Sequence, residues 1–307
     1  SSVIPSLMMC VIMLFGSVLM PKLTSQYQKK QKKKREELRQ NKYGKYLEEK
    51  ETEIKTILNK QTNILKENYP DATTCYGIIT NKNKKLWERN IQDDDFLSLR
   101  LGVGDDDTQL EIEAPQKVFT LEEDNLRERV FSIVDASKKL KNVPILTNLK
   151  QQKITSIICE INDKKGYVNN LIMQLIAMQS AVDLKIVFLT DNLNEDYEYM
   201  KYLPHLWSED KKVRFYANSL SEMKTISEYL EKELKDRKEK IKDNKNNLEA
   251  EKKIEENKEY MNFSTYYLIV TDHYKKTKDL SIINDILKVD KNIGFSMLII
   301  DDNLKDV

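Results

Sequence analysis

Three stretches, "LKIVFLTD" (184–191), "YYLIVTD" (266–272) and "FSMLIID" (295–301), are near-continuous apolar runs that each end in aspartate. A strand with one wet face alternates apolar and polar residues. A run without alternation must be covered on both faces, the condition met in a parallel sheet between two layers of helix. "ITSIICEI" (154–161) reads as a further strand of the same set. Helical patterns fall between them. After Gly166, the residues Val168, Leu171, Ile172, Leu175 and Ile176 recur at i, i+3, i+4, i+7 and i+8, one face of a helix. A long charged helix follows from about Leu220, and "DNLRERVFSIVDASKKL" reads as another. Shorter β-like runs are "CYGIIT", "FLSLRLGVG", "QLEIEA" and "VRFYA". "KDNKNNLEAEKKIEENKE" (242–259) is polar throughout and reads as a solvated helix end or loop. Alternating strands and helices predict an α/β domain over residues 70–307. Only 7 glycines and 6 prolines in 307 residues argue against a turn-rich β-sandwich.

The amino-terminal part has a different character. "VIPSLMMCVIMLFGSVLM" (3–20) is almost wholly apolar, and residues 1–21 carry no charge. About 20 such residues cross a bilayer core, so 1–21 predicts a transmembrane helix. Lys22, Lys29, Lys30, Lys32, Lys33, Lys34 and Arg35 follow before the first acid, Glu36. This order is the reverse of a secretory signal, and it places the region after residue 21 on the cytoplasmic side of a cell membrane. Lys29 to Arg35 form a candidate lipid-facing cluster. Residues 22–69 predict a stalk helix: 25–68 contains no proline and one glycine, Gly44. Tyr43, Leu47, Ile54, Ile57 and Ile64 draw a thin apolar seam along it. Pro70 ends it. A chain that opens on Ser1 without methionine reads as an excerpt of a longer one.

Composition limits the chemistry. The 51 basic and 50 acidic residues nearly cancel, so overall charge names no partner. Cys10, Cys75 and Cys159 match no metal or disulfide spacing and read as reduced and buried. Two histidines, His205 and His273, argue against a zinc site or a histidine-based triad. "ITSIICEINDKKGYVNNLIMQLIAMQSA" has the strand–loop–helix outline in which P-loop proteins hold phosphates. That chemistry needs G-x-x-x-x-G-K-[ST], with a lysine on the outer phosphates and a hydroxyl on magnesium. With Gly166 as the second glycine, Ile161 stands at the first, Tyr167 in the lysine slot and Val168 in the hydroxyl slot. Lys164 and Lys165 precede the glycine. Asp272 closes a Walker B-like strand, but His273 stands where a catalytic glutamate is expected. Asp301 and Asp302 end another strand, and such aspartates commonly cap a loop or helix. The "DDD" runs at 93–95 and 105–107 do not match a calcium-loop spacing. "GVG" (102–104) opens no helix, and His205 beside Trp207 reads as a packing residue.

At these residues the chain resembles a known family. "GSVLMPKLTSQYQKKQKKKREELRQNKYGKYLEEK" is similar to the segment after the second membrane helix of type VII secretion motor ATPases, the EssC/EccC group of the FtsK/SpoIIIE family. "LWERNIQDDDFLSLRLGVG" carries their Trp-Glu-Arg, acidic turn and Arg-Leu-Gly strand; "AVDLKIVFLTD" and "YLPHLWSEDKKVRFYA" resemble further landmarks. The resemblance implies a second membrane helix, a stalk and a degenerate three-layer P-loop-ATPase-like (FtsK-like) domain. It implies ATP and magnesium in downstream domains and none in this segment, which is expected to be non-catalytic within a full-length ATPase. Expected partners are other membrane components of the translocon, the protein's own downstream ATPase domains, membrane lipid and further copies of itself; no nucleic acid partner is expected. Two alternatives stay open. One is a divergent nucleotide-binding or ATP-hydrolysing domain using Lys164 or Lys165 with Asp272. The other is an FtsK-like DNA translocase module.

Overall fold

The computed structural model describes residues 8, 9, 13, 16, 20–117, 124–158, 164–191, 195–248, 263–289 and 292–302, with side chains of 243–248 excepted. It divides into two compact units, Ser1–Ile64 with Asp105–Val143, and Leu65–Gly104 with Pro144–Val307.

In the first unit the chain enters helix α1, Met20–Asn68, which runs unbroken through Gly44 and whose last turn lies in the second unit. At 1.5 Å per residue its 49 residues span about 73 Å. Of the apolar seam, Leu47 is buried, Ile54 and Ile57 half-buried, and Tyr43 and Ile64 exposed. Of the later segment in this unit, Leu126, Leu140 and Val143 are buried. Asp124 starts a helix at Asn125–Ala136 by accepting the Leu126 amide at 3.1 Å, and it also pairs with Arg39 at 3.0 Å. Arg129 reaches Glu51 at 3.1 Å, and Thr108 donates to Gln61 at 2.9 Å. The predicted membrane span, 1–21, lies mostly outside the described residues. Among the described residues no helix is long and apolar enough to cross a membrane.

The second unit is built on a five-stranded parallel sheet. With strands numbered in chain order, β1 is Ser98–Asp107 and β2 Lys139–Asn148, which pair as a separate two-stranded sheet. The main sheet comprises β3 (Ile154–Ile158), β4 (Leu184–Leu189), β5 (Tyr216–Ala217), β6 (Tyr266–Thr271) and β7 (Phe295–Asp301), in the order β3-β7-β6-β4-β5. Side-chain alternation along each strand feeds two cores. Leu184, Ile186, Phe188, Leu268, Val270, Leu298 and Ile300 face the helix Lys164–Met178, whose Val168, Leu171, Ile172, Leu175 and Ile176 are all buried as the spacing predicts. Val187, Leu189, Ile269, Met297 and Ile299 face the other way, onto Met223, Ile226, Leu230 and Leu234 of the helix Leu220–Leu248 and onto Ile282, Ile283 and Ile286 of Ser281–Leu287. This is the α/β sandwich that the doubly covered strands require, and it fits a P-loop-like fold.

Some local expectations are corrected. "CYGIIT" is helical, within Ala72–Thr80, because Asp71 caps it by accepting the Thr74 amide at 2.8 Å while Cys75 and Ile78 bury one face. The β-branched residues are overruled by the cap and by burial. "QLEIEA" forms no strand among its residues. β2 escapes the sequence reading because Pro144 sits inside it; proline is tolerated in such a strand where no ladder amide is needed. Cys75 is free and buried, as expected.

The "LWER…DFLSLRLG" block has a structural reason. Trp87 donates its indole N–H to Ile176 O at 3.1 Å. Arg89, 4% exposed, donates to Asn68 O at 2.5 Å and Ser98 O at 3.0 Å and lies 4.8 Å over the Tyr69 ring. Its Nε sits 2.9 Å from Asp95 in an ion pair too bent to be a hydrogen bond. Arg100 donates to Tyr69 O at 3.2 Å. Of the orphan carbonyls at the end of α1, which every helix must satisfy, Asn68 O is met by Arg89 and Glu67 O by Lys85 Nζ at 3.3 Å, while Arg100 holds Tyr69 O just beyond the helix.

Candidate functional site at the carboxyl end of the sheet

In an open parallel sheet, ligands bind outside the carboxyl ends of the strands. The register brings the aspartate-terminated strands to one level there. Leu189 pairs with Thr271, so Thr190 and Asp272 are the next residues out, and Ile158 pairs with Asp301. Lys164, the first described residue of the following helix, lies 3.6 Å from Asp302. Asp191 Oδ2 is shared by Lys276 Nζ at 3.1 Å and His273 Nε2 at 3.4 Å. Asp301 Oδ2 accepts the amide of Tyr274, the first residue of the short helix Tyr274–Thr277, at 3.1 Å. The strand-end aspartate therefore caps a helix, though one that follows a neighbouring strand.

Asp272 is the exception in this set. It is 7% exposed, and its Oδ1 has no hydrogen-bond partner among the described residues. Burial pushes its carboxyl above the usual carboxylate range, and the nearby Asp191 adds to this; a hydrogen bond from Thr190 and the Lys164 charge act in the opposite sense. A carboxyl raised in the folded state favours folding when protonated, and that advantage is lost as pH rises through the raised value. Asp272→Asn is therefore expected to raise stability at pH 7 by about 1–2 kcal/mol. In urea unfolding the gain over the natural chain should shrink as pH falls toward 3.8, the ordinary aspartate value. A gain that is independent of pH would contradict the assignment.

The phosphate-binding positions do not fit a nucleotide. Ile161 lies outside the described residues. Gly166 falls inside the first turn of its helix, and Val168, in the hydroxyl slot, is completely buried in the core. Tyr167, in the lysine slot, packs against the same core and donates its hydroxyl to Leu101 O at 3.3 Å. These residues supply neither the outer-phosphate charge nor the magnesium ligand, so no step through ATP is derived from them. Among the described residues no cluster of histidine, cysteine, aspartate or glutamate is arranged to hold a metal ion. The acidic runs are used internally: Asp93 accepts the Asn90 amide at 2.8 Å and Asp95 pairs with Arg89. His205 is buried on Gln179 O at 2.9 Å, and burial pushes its pKa down to about 4, so it stays neutral and packs. Asp191 and Lys276 were not singled out from the sequence. The signal for Asp191 was present, since the run 184–191 ends in it as the runs 266–272 and 295–301 end in Asp272 and Asp301. The basic cluster Lys29 to Arg35 lies far along the chain on α1, fully exposed.

No family model matches the chain. It is similar to the ESX secretion system protein YukB of Bacillus subtilis, 23% identical over 323 aligned positions that cover 97% of the chain and 20% of that protein. It is also similar to the ESX secretion system protein EccC of Geobacillus thermodenitrificans, 27% identical over 59% of the chain and 12% of that protein. Against the type VII secretion system protein EssC of Staphylococcus aureus it is 23% identical, over 61% of the chain and 13% of that protein. The chain thus spans a fifth or less of these relatives' length. Among solved structures it is similar to the cytoplasmic domain of the Thermomonospora curvata type VII secretion ATPase EccC, with TM-score 0.42 and 14% identity over 71% of this chain and 22% of that one. A second is EssC (ATPases 2 and 3) of Geobacillus thermodenitrificans, with TM-score 0.42 and 10% identity over 73% of this chain and 36% of that one. The alignment to YukB runs through nearly the whole chain, and the relatives share one system. The chain is thus similar to the YukB, EccC and EssC group of type VII (ESX) secretion system proteins.

Proposed function

We propose that this chain is a membrane-anchored, non-catalytic coupling and assembly module of a type VII protein secretion motor. It would pass motion from ATPase domains elsewhere in the protein to the translocon. Its partners would be those domains, membrane components of the translocon and further copies of itself, with the region after residue 21 on the cytoplasmic side. The observation that carries this reading is the conversion of the phosphate-binding positions to packing. Val168 is completely buried, and the Tyr167 hydroxyl is committed to Leu101 O. Lys164 and Asp191 are in turn engaged by Asp302 and by Lys276 and His273. The Arg89 and Arg100 contacts to the end of α1 support a mechanical role, because they build the helix terminus into the domain that follows it.

A second reading, a divergent nucleotide-binding or ATP-hydrolysing domain, is favoured by one observation. The unpartnered Oδ1 of Asp272 is a buried carboxyl kept at a cost in stability, as functional sites often keep them. Calorimetry of the chain with ATP and magnesium at millimolar nucleotide separates the two. The coupling reading expects no binding heat. Clear binding that Asp272→Ala abolishes would replace it with the nucleotide reading.

A further inference from the structure

We propose that β3 is a self-pairing edge, along which two copies of this chain join antiparallel and continue the sheet from one protein into the next. This deepens the proposed function and rests on it only in taking a further copy as the partner. It concerns the second unit alone. β4, β6 and β7 are buried at every residue. β3 is buried at none: Ile154, Thr155, Ile157 and Ile158 are half-buried and Ser156 is exposed. Its one strand neighbour among the described residues is β7. The opposite edge, β5, is two residues long, too short to template a partner.

The register fixes which backbone groups face outward. Met297 donates its amide to Lys153 O at 2.9 Å. In a parallel ladder alternate residues turn both backbone groups to the same neighbour. Lys153, Thr155 and Ile157 therefore serve β7, and Ile154, Ser156 and Ile158 turn theirs to the open side. Proteins commonly blunt such an edge with a charge, a proline or a bulge. β3 has none of these. It reads Ile-Thr-Ser-Ile-Ile, and its pairing with β7 runs on without a skipped residue. Ile157 packs on one core and Ile154 on the other, so apolar surface on both faces of the sheet ends at this edge.

The strand is complementary to itself. Antiparallel pairing centred on Ser156 sets that residue opposite its own counterpart, and Ile154 opposite Ile158 of the second copy. Each is a pair that exchanges both bonds, giving about six hydrogen bonds and central Cα atoms about 5.5 Å apart. Charge selects the antiparallel sense. Lys153 precedes the strand, while Asp301, which pairs with Ile158, and Asp302 stand at its far end. An antiparallel copy brings basic start to acidic end, whereas a parallel copy sets like charge against like. The strand is about 17 Å long and covers far less than a standard interface, about 800 Å² per partner. The pairing is therefore transient in the free chain and is best counted by trapping it.

The test is disulfide trapping of the full chain in detergent, with Cys10→Ser and Cys159→Ser in the background and the buried Cys75 retained. Ser156→Cys should form dimers at least about tenfold faster than Ser221→Cys, an exposed position in the helix that follows β5. The expected Cα separation at Ser156 lies within the range a disulfide spans. Chains carrying Ile154→Cys and chains carrying Ile158→Cys, when mixed, should link to each other and not to themselves. Ser156→Lys added to both should slow that linkage about tenfold, and Ser156→Lys on one with Ser156→Glu on the other should restore it. Equal rates at positions 156 and 221 overturn the proposal, as does self-linkage of Ile154→Cys as fast as its linkage to Ile158→Cys. A Lys–Lys mixture that links as fast as the Lys–Glu mixture overturns it as well. So does protection of the Ile154, Ser156 and Ile158 amides from hydrogen exchange in dilute chain, which would show another segment of the same chain on the edge. None of these rates involves nucleotide, so a failure here leaves the coupling reading to its own calorimetric test.

Discussion

Replacing Arg237 by alanine is expected to cost the sheet unit about 3–5 kcal/mol of stability. The guanidinium is 7% exposed, and burial lowers its pKa. It donates to Ile293 O and Gly294 O at 3.1 Å each and to Thr265 O at 2.7 Å. It also lies 4.7, 5.0 and 4.8 Å from the ring centres of Phe263, Tyr267 and Phe295. Truncation would take this donor from the Ile293 and Thr265 carbonyls, while Gly294 O keeps the Tyr267 amide at 2.9 Å; it would also open a cavity and remove three cation–π contacts, each worth about 0.5–2 kcal/mol. Arg237→Met, which keeps most of the volume, should recover about 1–2 kcal/mol of the loss. Gly294 is coupled to the same place: its φ is +85°, and a Cβ there would collide with the Arg237 Nη1. Gly294→Ala should therefore cost about 2–3 kcal/mol alone, and less in the Arg237→Ala background, by about 1 kcal/mol. Urea unfolding followed by tryptophan fluorescence reads this unit specifically, because Trp87 and Trp207 both lie in it. A loss below about 1 kcal/mol for Arg237→Ala would contradict this account.

The second large effect is expected at Arg89. Arg89→Lys should cost about 2–3 kcal/mol, and Arg89→Ala about 3–4 kcal/mol. A lysine supplies one compact charge. The guanidinium fork meets Asn68 O and Ser98 O at once while pairing with Asp95 and covering Tyr69. Loss of the fork leaves the end of α1 with an unpaired carbonyl, so the damage should be local as well as global. Amide hydrogen exchange should show the backbone from Leu65 to Tyr69 exchanging at least about tenfold faster in Arg89→Lys, with the exchange of β4 and β6 little changed. If exchange rose evenly across the sheet instead, Arg89 would be an ordinary core residue and not a tie between helix end and domain.

Much of this architecture was legible in the amino-acid sequence, because it rests on periodicity. Strands buried on both faces lose their alternation, which is why 184–189, 266–271 and 295–301 could be read directly. The helix after Gly166 could be read from its buried stripe, and the long helix before Pro70 from its freedom from proline. The departure from the phosphate-binding motif was equally readable, since it is a matter of residue identity at fixed spacing: Tyr167 and Val168 stand where the motif has a lysine and a hydroxyl residue.

The remainder needed the tertiary structure. The strand order β3-β7-β6-β4-β5 sets residues from four separate segments at one sheet end, and no local pattern encodes which strands are neighbours. Only that order reveals Asp272 as buried beside Thr190, and Lys164 and Asp191 as held by partners more than 80 residues away. The helix at Ala72–Thr80 and the strand around Pro144 went against their own propensities for the same reason. Local preference amounts to a few tenths of a kcal/mol per residue, whereas burial of each large apolar side chain contributes about 1.5–3 kcal/mol. Where the two disagree, packing decides. Arg89 was recognisable as part of a recurring block, but its role as the cap of a helix 21 residues earlier exists only once the chain is folded.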